Sequence, residues 1–351
     1  MAAYAEAVMT EWSLRKGELY QPVKTIYMGG GTPSLMPTDH ISRLIGRIAS
    51  DGVDIDAIEE FTIEANPEDI TAETIDGWRR IGINRISIGI QSFDERELAS
   101  VGRRHSGVAS ANALQCLAGS GINYSADLIY GLPGQSLADW ERNLDMLLRF
   151  RPPHLSAYLL SYEPRTRLYA MLEKGAVTEA DEQLATQMYE LLCRKTRDAG
   201  YLHYEISNFA LPGMEARHNS AYWDYTEYLG LGCSAHSFTR RERRANPANI
   251  RRYVDSMRRQ TVCAELDEET EADRLNDYII TSLRTSRGFR RAVAERRFSP
   301  AVMNKFDAEL KYFLENNKQK GGLRMNDNGD ISICENMWLM SDAIMRELIV
   351  E

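Results

Sequence analysis

Short runs of β-branched and aromatic residues alternate with amphipathic helical segments through the first 160 residues. The candidate strands are Lys24–Met28, Glu60–Ala65, Asn84–Ile90, Tyr124–Tyr130 and His154–Leu160. Helical patterns lie between them near 38–50, 71–82, 107–120 and 136–150, and a further one covers residues 2–16. Strands separated by single helices form parallel sheets with right-handed crossovers. The chain is therefore predicted to be an α/β protein.

Polar residues follow several of these strands. They are Gly29–Thr32, Glu64 with Asn66, Gln91–Ser92, Asp127 with Tyr130, and Tyr158. An open doubly wound sheet would concentrate such residues at one switch point, whereas a barrel directs all of them to one mouth. The spread over many strands favours a partial or complete barrel with a binding site at its mouth.

The turn Gly29-Gly30-Gly31 ends the first strand and lets the backbone approach a ligand closely. Its backbone groups can meet an ammonium or a carboxylate, and Glu64 can accept hydrogen bonds from ribose hydroxyls. Asp127 is a second acceptor, and Arg103 is a possible carboxylate partner. Glu64 or Asp127, taken alone, can equally cap the helix that follows its strand. Together they indicate a polar, zwitterionic ligand that carries hydroxyl groups.

The second half is less regular. Tyr201–Ser207 and Leu229–Ser237 are predicted strands, separated by a loop rich in His, Asn, Tyr and Trp. Helices near 270–285, 290–296 and 300–317 precede a hairpin turn at Asn326–Asp330 and a last helix with Met340, Ile344 and Leu348. This order suggests a small winged-helix-like domain. The expected division is a barrel over 1–240, a connecting segment over 241–265 and a helical, winged domain over 266–351.

The net charge of −9 argues against nucleic acid as a partner. The basic runs Arg240–Arg244 and Arg287–Arg297 are interrupted by Glu242 and Glu295 and contain a single aromatic residue, Phe289, rather than an interleaved stacking surface. No apolar run is long enough to span a bilayer, and the first residues form an amphipathic helix rather than a signal peptide. A cytoplasmic protein with no nucleic-acid partner and no membrane span is expected.

Five motifs occur in a fixed order along the chain. They are Gly29-Gly30-Gly31-Thr32-Pro33-Ser34, Glu64-Ala65-Asn66-Pro67, Arg85–Phe93, Asp127–Gln135 and Tyr204–Ala210. This set resembles the radical S-adenosylmethionine proteins related to oxygen-independent coproporphyrinogen III oxidase. The later His218-Asn219-Ser220-Ala221-Tyr222-Trp223 is similar to the haem-chaperone (HemW-type) branch of that family. The resemblance implies a partial (β/α)6 TIM-like barrel, without its first strand here, and a helical, winged C-terminal domain.

The resemblance also implies site residues. Gly30, Gly31 and Thr32 match the turn that holds the methionine end of S-adenosylmethionine, and Glu64 matches a carboxylate that contacts this ligand. Gln91, Arg103 and Asp127 match residues that contact a second S-adenosylmethionine in the oxidase. Ala157 matches a strand-end position beside the cofactor.

Members of the family also carry three cysteines spaced C-x3-C-x2-C, which bind a [4Fe–4S] cluster. The chain has Cys116, Cys193, Cys233, Cys263 and Cys334, and the closest two are 30 residues apart. We expect that a strand and a cysteine loop precede Met1 in a longer protein; the alternative is a natural relative without the cluster. The chain as given is expected to lack the cluster and to perform no radical chemistry.

His218 is the candidate haem iron ligand, because an imidazole on a loop beside Tyr222, Trp223 and Tyr225 offers an axial nitrogen and flat apolar faces. His236 and Cys233 are second candidates, although both are expected to be buried strand residues. The resemblance implies a protein that binds haem or porphyrin and passes haem to acceptor proteins, with transient contact to membrane haemoproteins possible. The alternative is the oxidase, which decarboxylates coproporphyrinogen III.

Overall fold

A computed structural model describes residues 1–239, 242–316 and 322–351. The strands are β1 Thr25–Met28, β2 Glu60–Ala65, β3 Arg85–Gln91, β4 Asn123–Tyr130, β5 His154–Leu159, β6 Leu202–Glu205, β7 Asn208–Ala210, β8 His236–Phe238, β9 Arg243–Ala245, β10 Glu265–Asp267, β11 Leu323–Met325 and β12 Ile331–Ile333. The helices are α1 Ala2–Arg15, α2 Thr38–Ser50, α3 Ala72–Arg80, α4 Glu95–Ser100, α5 Gly107–Ser120, α6 Leu137–Phe150, α7 Arg167–Glu173, α8 Glu182–Asp198, α9 Arg217–Trp223, α10 Ile250–Arg258, α11 Glu271–Leu283, α12 Arg291–Arg297, α13 Pro300–Asn316 and α14 Ser341–Arg346.

The chain divides into two compact units. The sheet unit comprises Thr25–Pro37 and Glu59–Ala216, and the terminal unit comprises Met1–Lys24, Thr38–Ile58 and Arg217–Glu351. The division into 1–240, 241–265 and 266–351 stays a prediction, since its first boundary falls outside the described residues. Arg240 and Arg241 of the first basic run, and residue 317 at the end of a predicted helix, also lie outside them.

The sheet unit contains a seven-stranded sheet in the order β1-β2-β3-β4-β5-β7-β6. Strands β1 to β5 are parallel, and the β6–β7 hairpin joins β5 in antiparallel fashion. The predicted α/β fold with parallel strands is therefore confirmed. β1 lies at one edge of the described sheet, and its four residues are half-buried.

One face of this sheet is apolar and packs against helices. Ile63, Ile86, Ile88, Leu128 and Leu155 are fully buried on it. Helix α6 begins at a capping box formed by Ser136 and Asp139, and its Trp140 ring contacts Tyr130 at the end of β4. Each fully buried aliphatic side chain contributes about 1.5–3 kcal/mol. This face holds the strands in place, so that the opposite face can carry polar residues.

The terminal unit is organised around a buried ion pair. Glu11 and Arg15 on α1 are 0% and 1% exposed and lie 2.8 Å apart. Glu11 Oε1 also accepts from Asn246, and Oε2 accepts from the Gly232 backbone N–H and the Tyr253 hydroxyl at 2.7–2.8 Å. Both carboxylate oxygens thus have two donors each, and α1 is attached to the segment 230–253.

Further along, the hairpin β11–β12 turns at Asn326–Asp330 as predicted, and it follows the three helices α11, α12 and α13.

Two predictions about secondary structure are wrong. Residues 229–235 are irregular rather than part of a strand, because Gly232 and Ser234 adopt left-handed backbone conformations. The expected loop at residues 217–223 is helix α9.

Candidate ligand-binding site on the polar face of the sheet

The second face of the sheet is polar along its whole width. Strand register places its inward residues in three rows: Thr62, Arg85 and Asn123; then Glu64, Ser87, Ser125 and His154; then Gly89, Asp127, Ser156 and Asn208. Parallel strands buried on both faces normally read as continuous apolar runs. A complete polar face in such a sheet therefore indicates a binding surface rather than a packing surface.

The glycine turn after β1 is fastened to Glu64. The Gly30 N–H donates to Glu64 Oε2 at 2.9 Å, and the Tyr27 hydroxyl donates to Oε1 at 2.7 Å. Gly30 and Gly31 have φ of 79° and 123°, which side chains rarely tolerate. A Cβ at Gly29 would lie 2.6 Å from Glu64 Oε1. Thr32 is half-buried at the end of the turn, and the hydrogen bond from Gly30 places the turn beside Glu64.

Asp127 lies two strands further along. Its Oδ2 accepts from Ser87 Oγ at 3.0 Å, and Oδ1 is buried with no partner among the described residues. Burial raises the pKa of Asp127 to about 6, and the nearby hydroxyl groups of Ser156 and Ser87 oppose this rise. The neighbouring charge of Glu64 adds to the rise, whereas Arg85 opposes it. A cation placed here would stabilise the ionised carboxylate.

Gln91 reaches this site through an unusual backbone. Its φ is 65°, at an irregularity where β3 and β4 shift register. The position of a Cβ on Gly89 is only 2.8 Å from Gln91 Nε2, so the amide folds back over Gly89, which pairs with Asp127. A left-handed residue other than glycine costs free energy and is typical of functional sites.

The buried carboxylate of Glu97 holds the segment that follows β3. Glu97 Oε2 accepts from Ser92 Oγ at 2.5 Å, Gln135 Nε2 at 3.0 Å and Asn143 Nδ2 at 2.8 Å. Gln135 Oε1 in turn accepts from the Gly131 N–H at 2.8 Å. The two motifs Arg85–Phe93 and Asp127–Gln135 are thus joined by one side chain, Glu97, which lies outside every motif that the sequence indicates.

Two of the expected site residues, Ala157 and Arg103, lie apart from the polar residues described above. Ala157 is buried on β5, and its N–H donates to Ser207 O at 2.9 Å. Arg103 is exposed after α4, and its guanidinium has no ion pair with other residues of the described chain. Tyr158 and Leu159 at the end of β5 are each 43% exposed and add an apolar rim.

Several buried polar atoms on the polar face have no partner among the described residues. They are Arg85 Nη1, Asn123 Oδ1, His154 Nδ1, Asp127 Oδ1 and Asn208 Oδ1. Nearly all buried polar atoms in proteins are hydrogen-bonded, so such a cluster points to a polar ligand or ordered water. The sequence signal for this face is the alternation of polar and apolar residues, which a prediction from strand ends alone does not include. It runs through Glu60–Ala65, Arg85–Gln91, Asn123–Asp127 and His154–Tyr158.

His218 lies on α9 in the terminal unit and not on a loop. Its Nε2 is 2.8 Å from the Tyr222 hydroxyl one turn later, and the two rings meet edge to face. Tyr222 packs against Tyr228 with ring centroids 4.7 Å apart. The helix therefore presents an imidazole beside packed aromatic rings.

The second haem candidates were expected to be buried strand residues; the burial is wrong for both, and the strand is wrong for Cys233. His236 is the exposed first residue of β8. Cys233 is half-buried in the irregular segment before it, and its Sγ contacts Pro247 O and Ala248 O at 3.2 and 3.1 Å. The left-handed Ser234 interrupts the extended backbone between them.

The parallel sheet and its polar strand ends fit a protein of the radical SAM class, and the comparison with known families shows this class. Residues 13–147 match the model of the Radical SAM superfamily. The structure of coproporphyrinogen III oxidase from Escherichia coli has a TM-score of 0.82 with this chain, covering 99% of this chain and 82% of that one. At 22% identity that likeness shows the TIM-like fold.

Curated relatives narrow the class. The heme chaperone HemW of Bacillus subtilis is 31% identical over 304 residues, which cover 85% of this chain and 78% of that protein. HemW of Lactococcus lactis is 36% identical over 253 residues, 72% of this chain and 66% of that protein. The chain belongs to the HemW family of radical SAM proteins. The match to HemW of Escherichia coli, at 38% identity, spans 56% of that protein's length.

Membership of the superfamily implies S-adenosylmethionine and a [4Fe–4S] cluster as family cofactors. The carboxylates of Glu64 and Asp127 and the open glycine turn fit a cationic sulfonium ligand. The cysteines do not fit the cluster, because no three of the five share one loop or element in the described chain. No helix among the described residues is both long enough and apolar enough to cross a membrane.

Proposed function

We propose that this protein handles haem: it binds haem through His218 and passes it to acceptor proteins. The observation that supports this most is the His218–Tyr222 pair on α9, within the motif His218–Trp223 of a chain in the HemW family. An imidazole nitrogen is a common axial ligand of haem iron. The packed Tyr222 and Tyr228 rings offer an apolar surface for the macrocycle.

The polar face of the sheet unit would hold S-adenosylmethionine. Gly30, Gly31 and Thr32 would contact its methionine end, and Glu64 would accept from its hydroxyls. Gln91, Arg103 and Asp127 would line a second position of the same ligand class, with Ala157 beside it. When bound together with its cluster, this cofactor supplies radical chemistry to the family. The side chains of the polar face would bind and orient the ligand, and Asp127 would supply a negative charge for the sulfonium.

The first test is a haem titration of the full chain followed by the Soret band. We expect one equivalent to bind, and we expect His218→Ala to weaken binding at least about tenfold, or roughly 1.4 kcal/mol. His236→Ala tests the second candidate, an exposed imidazole outside the motif, and is expected to leave the affinity unchanged. Equal affinity of His218→Ala and the parent chain would remove His218 from the proposal.

The alternative function, oxidation of coproporphyrinogen III, rests on a likeness that shows the fold alone. The motif around His218 favours haem transfer. Product analysis with coproporphyrinogen III, S-adenosylmethionine and a reductant, on a form whose N-terminus carries the C-x3-C-x2-C segment, separates the two, and formation of the decarboxylated porphyrinogen would reverse the order.

The acceptor proteins, transient contact with membrane haemoproteins and a cytoplasmic location belong to the same proposal. Apo-haemoprotein mixed with the haem-loaded chain tests the first of these, because transfer shifts the Soret band to that of the acceptor. The absence of a nucleic-acid partner stays a prediction, and salt-independent elution from a DNA column is its expected result.

A further inference from the structure

Helix α8 and the β6–β7 hairpin of the sheet unit bring together a thiol and an imidazole. Cys193 Sγ lies 3.8 Å from His203 Nδ1, and both residues are half-buried. The pair is separate from the polar strand ends described above, because Cys193 comes from a helix and His203 from a hairpin strand at the sheet edge. Neither Cys193 nor His203 belongs to the proposed haem site or the proposed S-adenosylmethionine site.

The tautomer of His203 follows from its second nitrogen. His203 Nε2 is 3.2 Å from Ile206 O, and a carbonyl oxygen can only accept, so Nε2 carries the proton. A neutral ring then directs the Nδ1 lone pair toward Cys193. The ring plane is fixed by stacking on Phe209, with centroids 4.1 Å apart and planes 17° from parallel.

This arrangement matches a metal-binding histidine. Such residues donate their second ring N–H to a carbonyl or carboxylate, which fixes the tautomer and the ring orientation. Zinc–sulfur and zinc–nitrogen bonds of about 2.3 and 2.0–2.1 Å at a tetrahedral angle place the two ligand atoms about 3.5 Å apart. The observed separation of 3.8 Å needs a closure of only a few tenths of an ångström.

We propose that Cys193 Sγ and His203 Nδ1 bind a divalent cation of the zinc class, with water or other oxygen donors at its remaining positions. On binding, the Cys193 S–H bond breaks, the proton passes to solvent, and the thiolate donates an electron pair to the metal without any change of oxidation state. The bound ion fastens α8 to the hairpin. This inference is independent of the proposed haem function.

The test is a titration of the metal-free full chain with Co²⁺ under reducing conditions, followed by absorption spectroscopy. One equivalent is expected to give a thiolate-to-cobalt charge-transfer band, which Zn²⁺ then displaces. Cys193→Ser is expected to abolish the band, and His203→Gln is expected to weaken Co²⁺ binding at least about tenfold. Calorimetry in two buffers should show one proton released per Zn²⁺ bound by the parent chain.

The control is Cys263→Ser, since Cys263 is also half-buried and its thiol contacts Ser256 Oγ at 2.9 Å. That variant should keep the band. Absence of the band in the parent chain would mean an S–H···N hydrogen bond only and would overturn the proposal, as would a band retained by Cys193→Ser. Circular dichroism verifies that each variant is folded. If either Cys193→Ser or His203→Gln fails to fold, Co²⁺ binding by the other variant decides the test.

Discussion

Glu11 and Asp127 are both carboxylates with buried oxygen atoms, yet their surroundings differ in kind. Glu11 in the terminal unit is fully enclosed, and each of its oxygens accepts from two donors, with Arg15 as its counter-charge. Asp127 in the sheet unit has a hydroxyl donor on Oδ2 and no partner for Oδ1 among the described residues. A saturated buried carboxylate stabilises a fold, whereas an unsaturated one keeps acceptor capacity for a ligand.

The largest expected effect comes from breaking the saturated cluster. Glu11→Gln replaces an acceptor oxygen by an NH₂ group that faces the Gly232 N–H and the Tyr253 hydroxyl, and it leaves Arg15 without its buried partner. Loss of one member of a buried ion pair costs about 3–5 kcal/mol. Urea denaturation followed by circular dichroism measures this as a lower free energy of unfolding.

Glu6→Gln on the same helix is the matched control, because Glu6 is 56% exposed in its pair with Arg43. Surface substitutions of this kind change the free energy of unfolding by about 0.5 kcal/mol or less. Equal losses for the two variants would contradict a structural role for Glu11.

The second expected effect is an increase in the free energy of unfolding. Because the folded state raises the pKa of Asp127 from 3.8 to about 6, folding favours the protonated acid. Its contribution is fully present below pH 3.8 and is lost as the pH rises toward 6, at a cost of about 3 kcal/mol at most. Asp127→Asn has no such cost, so the variant should become more stable than the parent chain at about pH 8.

This prediction is checked by the difference in unfolding free energy between Asp127→Asn and the parent chain, measured from about pH 4 to about pH 8. It should grow up to about pH 6 and then stay level. A difference that does not change with pH would contradict the environment described for Asp127.

The smallest effect concerns the hydrogen bond between His218 Nε2 and the Tyr222 hydroxyl. Iron that binds Nε2 must displace the Tyr222 hydroxyl, and a hydrogen bond contributes about 0.5–1.5 kcal/mol. Tyr222→Phe should therefore tighten haem binding about fivefold while keeping the aromatic face. A loss of affinity in the same Soret titration would show that the hydroxyl assists binding instead.

The parallel strands of the sheet unit were predictable from the sequence, because helix and strand periodicities alternate clearly up to residue 160. Helix α9 was not, since Arg217–Trp223 carries no apolar stripe and is held by contacts of its aromatic side chains with Tyr228 and Arg284. The segment 229–235 looked like a strand because the left-handed φ of Ser234 leaves no trace in the sequence pattern.

The candidate site was predictable in its strand-end residues but not in its support. Glu64, Gln91 and Asp127 follow from the rule that parallel sheets bind ligands at strand ends. Glu97 could not be identified, because its three donors come from segments up to 46 residues away. The fold alone brings these side chains to one carboxylate.

The most direct test of the contrast is a ¹³C NMR titration of the full chain labelled at aspartate carboxyl carbons, with Asp127→Asn used to assign the signal. We predict that Asp127 titrates near pH 6, well above the range of an unperturbed aspartate. Titration of Asp127 near pH 4, about the value of an unperturbed aspartate, would show a solvated or fully partnered carboxylate. That result would contradict the claim that this side chain is kept available for a ligand.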